Sequence, residues 1–246
     1  MKVSKFPCNI FLLIIITLFS CNKNLKKNSI DSKVSSLLSK MTLEEKVGQM
    51  TQINISVITK GKDKFGAYEP VEIDIDAIEK AIIKYKVGSV LNAPNNRARS
   101  PKFWNNIIGE IQEVAKKTRL SIPIIYGIDN IHGTTYIAGG TMFPQQITTA
   151  ATWNPKNAYE MAKITAYETR AASIPWNFSP VLDLGQDPRF PRQFETFGED
   201  PYLAKVMGVE MIKGYQGINN EIDSQFSVAA CIKHFLGYQT TISGKA

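Results

Sequence analysis

Apolar residues along this chain fall into two alternating patterns: stripes spaced three to four apart, and short unbroken runs. Val34, Leu37, Leu38 and Met41 keep the helical period, which predicts a helix across Asp31 to Met50. Within it, Thr42-Leu43-Glu44-Glu45 has the form of a capping box, in which hydroxyl and carboxylate each take the other residue's backbone N–H, so the helix restarts there. Gln52 to Ile58 suits a strand, and Thr59 to Pro70, punctuated by Gly61, Gly66 and Pro70, suits a loop. Ile75, Ile78, Ile82 and Tyr85 stripe a further helix. Three more helices open on a capping residue followed by proline, at Ser100-Pro101, Asn154-Pro155 and Asp200-Pro201. Proline at the first helical position gives up no hydrogen bond and presets φ. Phe103, Ile107, Ile111 and Val114 line the first of these helices; Leu203, Met207, Met211 and Tyr215 line the last, with Gly217 as its stop.

Between the helices lie the apolar runs Val87–Leu91, Ile122–Ile128, Phe178–Leu184 and Val228–Phe235. They lack polar alternation, as strands buried on both faces do. Strands alternating with helices predict an α/β protein with a parallel sheet, and a barrel is its economical closure. Five strands can be counted with Gln52–Ile58, too few to close a (β/α)8 ring, so the expectation is a partial TIM-like barrel left open.

The ends of the chain change this picture. Residues 1–30 carry five of the seven net positive charges, at Lys2, Lys5, Lys23, Lys26 and Lys27, so the body is nearly neutral. With no basic stripe interleaved with aromatics, nucleic acid is not an expected partner. The basic start and the apolar run Ile10 to Phe19, too short to span a bilayer, read as a signal segment. Leu18-Phe19-Ser20-Cys21 is similar to a bacterial lipobox, which makes Cys21 the expected lipidation point. The expected organisation is a signal peptide over 1–21, a polar tether over 22–30 and the barrel domain over 31–246. The expected location is exported, as a periplasmic or cell-surface lipoprotein of a bacterium. Cys8 and Cys21 belong to that leader and Cys231 to an apolar strand as a small core residue, so no disulfide framework is expected. His132 and His234 lie far apart with no thiolate cluster, so neither a metal nor a cofactor is implied.

Candidate chemistry sits where the runs end. Asp129 follows Ile122–Ile128; an ionised carboxylate there can accept from two neighbouring sugar hydroxyls, or equally cap a turn. His132, before Gly133, reads as a turn-stabilising residue. Asp187-Pro188-Arg189-Phe190-Pro191-Arg192 places two arginines on a proline-stiffened loop among Asp183, Asp187, Glu195 and Glu199. Their forked donors suit hydroxyl oxygens or neighbouring acids, so one arginine is expected to hold the loop and one to face a ligand. Lys233 and His234 end the last run, and burying them without an acid or a ligand is costly, so the pair must find a partner.

Five segments in this order carry a resemblance. They are Met41-Thr42-Leu43-Glu44-Glu45-Lys46-Val47-Gly48-Gln49-Met50, Gly127-Ile128-Asp129-Asn130-Ile131-His132-Gly133, Phe143-Pro144-Gln145-Gln146, Asp187 to Arg192 with its Glu-Thr-Phe-Gly-Glu-Asp-Pro continuation, and Lys233-His234-Phe235. From about Met41 onward the chain resembles the N-terminal domain of glycoside hydrolase family 3, of the bacterial β-glucosidase type. The resemblance implies a (β/α)8 barrel, usually followed by an α/β sandwich domain. It implies that Asp129, Arg192, Lys233 and His234 bind the hydroxyls of the non-reducing-end sugar, Arg192 being the second arginine of its loop. It further implies retaining hydrolysis of terminal β-D-glucosyl residues from oligosaccharides or aryl β-glycosides, with a nucleophilic Asp and an acid/base Glu.

Both of those carboxylates fall beyond residue 246 by this likeness, so the expectation is a fragment that binds the terminal sugar but is inactive without its missing C-terminal domains. Leu236-Gly237-Tyr238-Gln239 stands where hexosaminidase relatives carry Pro-Gly-His, which favours the β-glucosidase type. The alternative is an inactive sugar-binding surface lipoprotein. A phosphate-binding barrel would want a glycine-rich loop ahead of a late helix, and none is present.

Overall fold

The computed structural model describes residues 22–63, 66–235 and 237–240, with side chains from Ile30 onward. The expected signal run and Cys21 lie outside the described residues. The chain divides into two compact units, Met1–Lys46 and Val47–Ala246.

In the first unit, helix α1 runs over Asn22–Lys40, so the polar stretch read as a tether is helical from Asn22. Ile30, Val34, Leu37 and Leu38 are exposed. Helix α2 (Leu43–Gln49) opens on the expected capping box: Thr42 N donates to Glu45 Oε2 at 2.9 Å and Glu45 N to Thr42 Oγ1 at 3.2 Å.

The second unit carries five parallel strands, β1 (Gln52–Asn54), β2 (Ser89–Leu91), β3 (Ile125–Ile128), β4 (Trp176–Asn177) and β5 (Ala229–Ala230). Their spatial order follows the chain, with Leu91 beside Gly127, Gly127 beside Trp176 and Trp176 beside Ala229. A doubly wound sheet reverses its order at a switch point; a sheet that advances strand by strand in one direction is an arc of a barrel. Helix α3 spans Ile75–Glu79 and widens into a π turn over Lys80–Lys84. Helices α4 (Pro101–Lys116), α5 (Gln146–Ala150), α6 (Pro155–Ala171) and α7 (Pro201–Gln216) complete it.

All three Xaa-Pro starts are real: Ser100 accepts from Phe103 N, Asn154 from Lys156 N, and Asp200 from Tyr202 N and Leu203 N. Gly217, at φ 77°, follows α7 in a conformation that a side chain resists. Trp104, Ile107, Ile108, Ile111 and Val114 bury the inner face of α4 against β2 and β3, each fully buried isoleucine contributing about 1.5–3 kcal/mol. Met207, Met211 and Tyr215 of α7 pack on Ala158, Ala162 and Ala166 of α6 in a second core.

Three expectations need correction. Ile75 and Tyr85 of the striped helix are exposed while Ile78 and Ile82 are buried; the π turn takes more residues per turn, which carries Tyr85 off the apolar face. The run Phe178–Leu184 is not the fourth strand: β4 precedes it at Trp176–Asn177, because Pro180 has no N–H to continue a ladder. Pairing resumes past a bulge, with Cys231 N donating to Ser179 O, Lys233 N to Pro180 O and Leu182 N to Lys233 O. Cys231 is half-buried rather than core, since β5 is the outermost strand of the sheet.

Candidate functional site

Parallel register puts Ile128, Asn177 and Ala230 level with one another, so the segments leaving β3, β4 and β5 share one rim. Asp129 is the first residue beyond β3. A buried polar lattice holds it: Asn130 N donates to Asn177 Oδ1 and Asn177 Nδ2 donates to Asn130 O, both at 2.9 Å, while Asn130 Nδ2 reaches Thr169 Oγ1 at 2.8 Å. Asn177 thus carries the β3–β4 pairing one step further with its side chain.

On that rim Lys233 donates from Nζ to Asp129 Oδ1 in a short ion pair, across 104 residues of sequence. The lysine is the more buried partner, its side chain 13% exposed against 32% for the aspartate. The next residue, His234, places Nδ1 2.6 Å from Oδ2 of the buried Asp183. The peptide bond between Lys233 and His234 is cis. Each member of the pair therefore has the acidic partner that its burial demands.

The arginine loop divides its labour. Arg189 pairs with Asp187 of its own turn through Nε and one terminal nitrogen, the closest contact being 2.7 Å, and its side chain is 65% exposed. That contact, chiefly the Arg189 hydrogen bond, lowers the Asp187 carboxyl to about 2. Arg192 grips Glu195 with both branches of its fork, Nε to Oε1 at 2.8 Å and a terminal nitrogen to Oε2 at 2.6 Å. Its guanidinium is pushed above its ordinary value, first by Glu195, then, against the cost of partial burial, by the Tyr238 hydroxyl. Asp183, grouped with the arginine acids from sequence, instead belongs to His234.

Two tyrosines belong to the same surroundings. The Tyr238 ring lies 4.6 Å from that of His234 and has the Arg192 guanidinium 5.7 Å from its centroid. Tyr136 is raised above its ordinary value, foremost by burial and then by the charges of Asp129 and Glu195. Asp129, Lys233, His234 and Arg192 are thus brought together, with Asp183, Glu195 and Tyr238 among them. Neither tyrosine was picked out from sequence, since each sits on a loop with no period to betray it. His132 is where a turn-stabilising residue belongs: its Nδ1 lies 2.8 Å from Phe143 O, and Phe143 N donates to His132 O. Across the same loop, Glu168 of α6 accepts from Thr134 Oγ1, Thr141 Oγ1 and Thr141 N. Among the described residues, no group of three or more His, Cys, Asp or Glu could hold a metal.

Sequential parallel strands with acids and donors gathered past their C-terminal ends define an α/β domain of the barrel type with a polar site on its rim. The glycosyl hydrolase family 3 N terminal domain matches residues 42–246, and the chain belongs to that family. It is 37% identical over 228 residues to a lysosomal beta glucosidase of Dictyostelium discoideum, covering 87% of this chain and 27% of that one. A periplasmic beta-glucosidase of Salmonella typhimurium is 30% identical, with 91% of this chain and 26% of the relative covered. The structure of a beta-glucosidase from Listeria innocua in complex with glucose superposes with a TM-score of 0.64 at 32% identity, over 87% of this chain and 28% of that one. The chain therefore spans little more than a quarter of the length of these relatives.

Proposed function

We propose that this chain supplies the sugar-binding wall of an exo-acting retaining β-glucosidase that removes terminal non-reducing β-D-glucosyl residues. The observation that carries the reading is the run of contacts that joins Asp129 to Lys233 and, through the Tyr238 ring, His234 to Arg192. Its donor and acceptor capacity is only partly spent. Lys233 has three donors and Asp129 two acceptor oxygens, and their mutual bond uses one of each. A pyranose offers adjacent hydroxyls that both donate and accept, so one sugar can bridge Asp129 and Lys233 while Arg192 and His234 hold the next hydroxyls round. The relative bound to glucose supports a hexose as the occupant.

In retaining hydrolysis one carboxylate attacks the anomeric carbon while a second carboxyl protonates the leaving oxygen, and water then releases the glycosyl-enzyme ester. The wall proposed here fixes the ring for that attack. Contacts that shorten as the ring flattens toward the oxocarbenium ion lower the barrier. The lipobox-like segment and the periplasmic relative support export as a bacterial lipoprotein anchored through Cys21. Lipid-reporter labelling that persists in Cys21→Ser would remove that anchor.

Titration of the chain with glucose by NMR is expected to give saturable shifts that vanish in Asp129→Asn. Absence of binding at tens of millimolar would refute the sugar wall.

A further inference from the structure

The two halves of the rim come from different loops, and one side chain spans them. Lys233 and His234 leave β5, whereas Arg192 and Glu195 lie on the long segment after β4. Tyr238 returns from the β5 side in a turn closed by Thr240 N and Thr240 Oγ1, both donating to Gly237 O at 3.0 and 2.8 Å. Gly237, at φ 80°, allows that turn where a side chain would strain it. The Tyr238 ring then packs edge-on to Phe190 at 5.1 Å, and Phe190 is 2% exposed. Phe190 sits between the two arginines, so this contact anchors Tyr238 to the arginine loop itself. From that seat the ring meets His234 at 4.6 Å and the Arg192 guanidinium at 5.7 Å.

We propose that Tyr238 is a positioning residue that sets the separation and orientation of His234 and Arg192, and through them the affinity and fit of the sugar site. This rests on the sugar-binding reading above. The physical reason is the inequality of the clamps on the two side chains. Asp183 fixes His234 at one ring nitrogen and leaves the ring free to swing about that bond. Glu195 fixes Arg192 only to a residue three positions away on the same loop, which does not tie that loop to β5. A rigid aromatic ring touching both, and seated on the buried Phe190, removes both freedoms together. The effect of Tyr238 passes through the two residues it holds.

The chain has two histidines, which makes the test direct. Tyr238→Phe keeps the ring and deletes the hydroxyl; Tyr238→Leu deletes the ring and keeps an apolar side chain against Phe190. In selectively labelled protein, the His234 ring signals are expected to stay close to wild type in the phenylalanine variant and to move in the leucine variant. His132, held by Phe143 O, serves as the unmoved control. The Arg192 Nε–H signal is expected to shift in both variants. Glucose affinity is expected to fall about threefold in Tyr238→Phe and about tenfold in Tyr238→Leu, with the thermal midpoint little changed. Unmoved His234 and Arg192 signals in Tyr238→Leu overturn the proposal, as does unaltered glucose affinity in both variants. If the wild-type chain binds no glucose, the sugar-binding reading has failed, and the His234 and Arg192 signals alone decide the positioning role.

Discussion

Breaking the Asp129–Lys233 pair from either side tests the rim most sharply, because its two members are unequally buried. With 13% of its side chain exposed, Lys233 depends almost wholly on Asp129 for compensation, while Asp129 keeps 32% of its surface for water. Asp129→Asn leaves a nearly buried ammonium without a counter-charge, a loss of about 3–5 kcal/mol by the usual cost of orphaning one partner of a buried pair. Lys233→Met leaves a carboxylate that water can still reach, for a loss of about 1–3 kcal/mol. The double variant removes both charges and should recover part of the larger loss, with a coupling of about 1.5–3 kcal/mol. Urea midpoints of the four proteins close the cycle, and glucose titration separates holding from binding. The double variant is expected to regain stability but not sugar affinity. Additive losses, or a Lys233→Met variant less stable than Asp129→Asn, would refute the claim that the lysine is the dependent partner.

Two further perturbations probe what supports the rim. Asn177→Ala strips partners from the backbone N–H and C=O of fully buried Asn130, for an expected loss of about 2–4 kcal/mol by urea denaturation; a loss under about 1 kcal/mol would show that water replaces the side chain. Glu168 answers to pH. Burial alone would raise its carboxyl, but the hydrogen bonds from Thr134 and Thr141 outweigh that and hold it below its ordinary value. Its contribution is therefore complete above the ordinary carboxyl range and fades as pH falls through the lowered folded value. The gap in thermal midpoint between wild type and Glu168→Gln should be widest at neutral pH and narrow as pH falls below the ordinary carboxyl range; a gap independent of pH would exclude the ionised clasp.

What could be read from the chain divides by sequence separation. Caps are settled within three residues, so Thr42, Glu45, Ser100, Asn154 and Asp200 bond as their spacing predicts. The sheet class followed from alternation, yet strand limits did not. Apolar runs mark what is buried rather than what is hydrogen-bonded, so Phe178–Leu184 looked like β4 although the ladder stops before Ser179-Pro180. The π turn at Lys80–Lys84 left no trace in composition. The rim residues were visible as polar groups at the ends of runs, and the need of Lys233 and His234 for an acid or a ligand followed from the cost of burying them. Which acids they take did not, because those contacts close loops of 104 and 51 residues.

The partner choice has a cause in topology. Lys233 and His234 are consecutive, so their two acids must arrive from different strands if both side chains are to be met in one place. The order β3-β4-β5 delivers this: Asp129 steps off β3 at once, whereas Asp183 arrives by the irregular segment that runs past β4 alongside β5. The bulge at Ser179-Pro180 is what brings that segment level with Lys233, since Leu182 N donates to Lys233 O while Asp183 turns to His234. A regular β4 would have carried the ladder straight on and altered where Asp183 points. The departure from strand geometry that misled the reading of the sequence is therefore the feature that assembles the site.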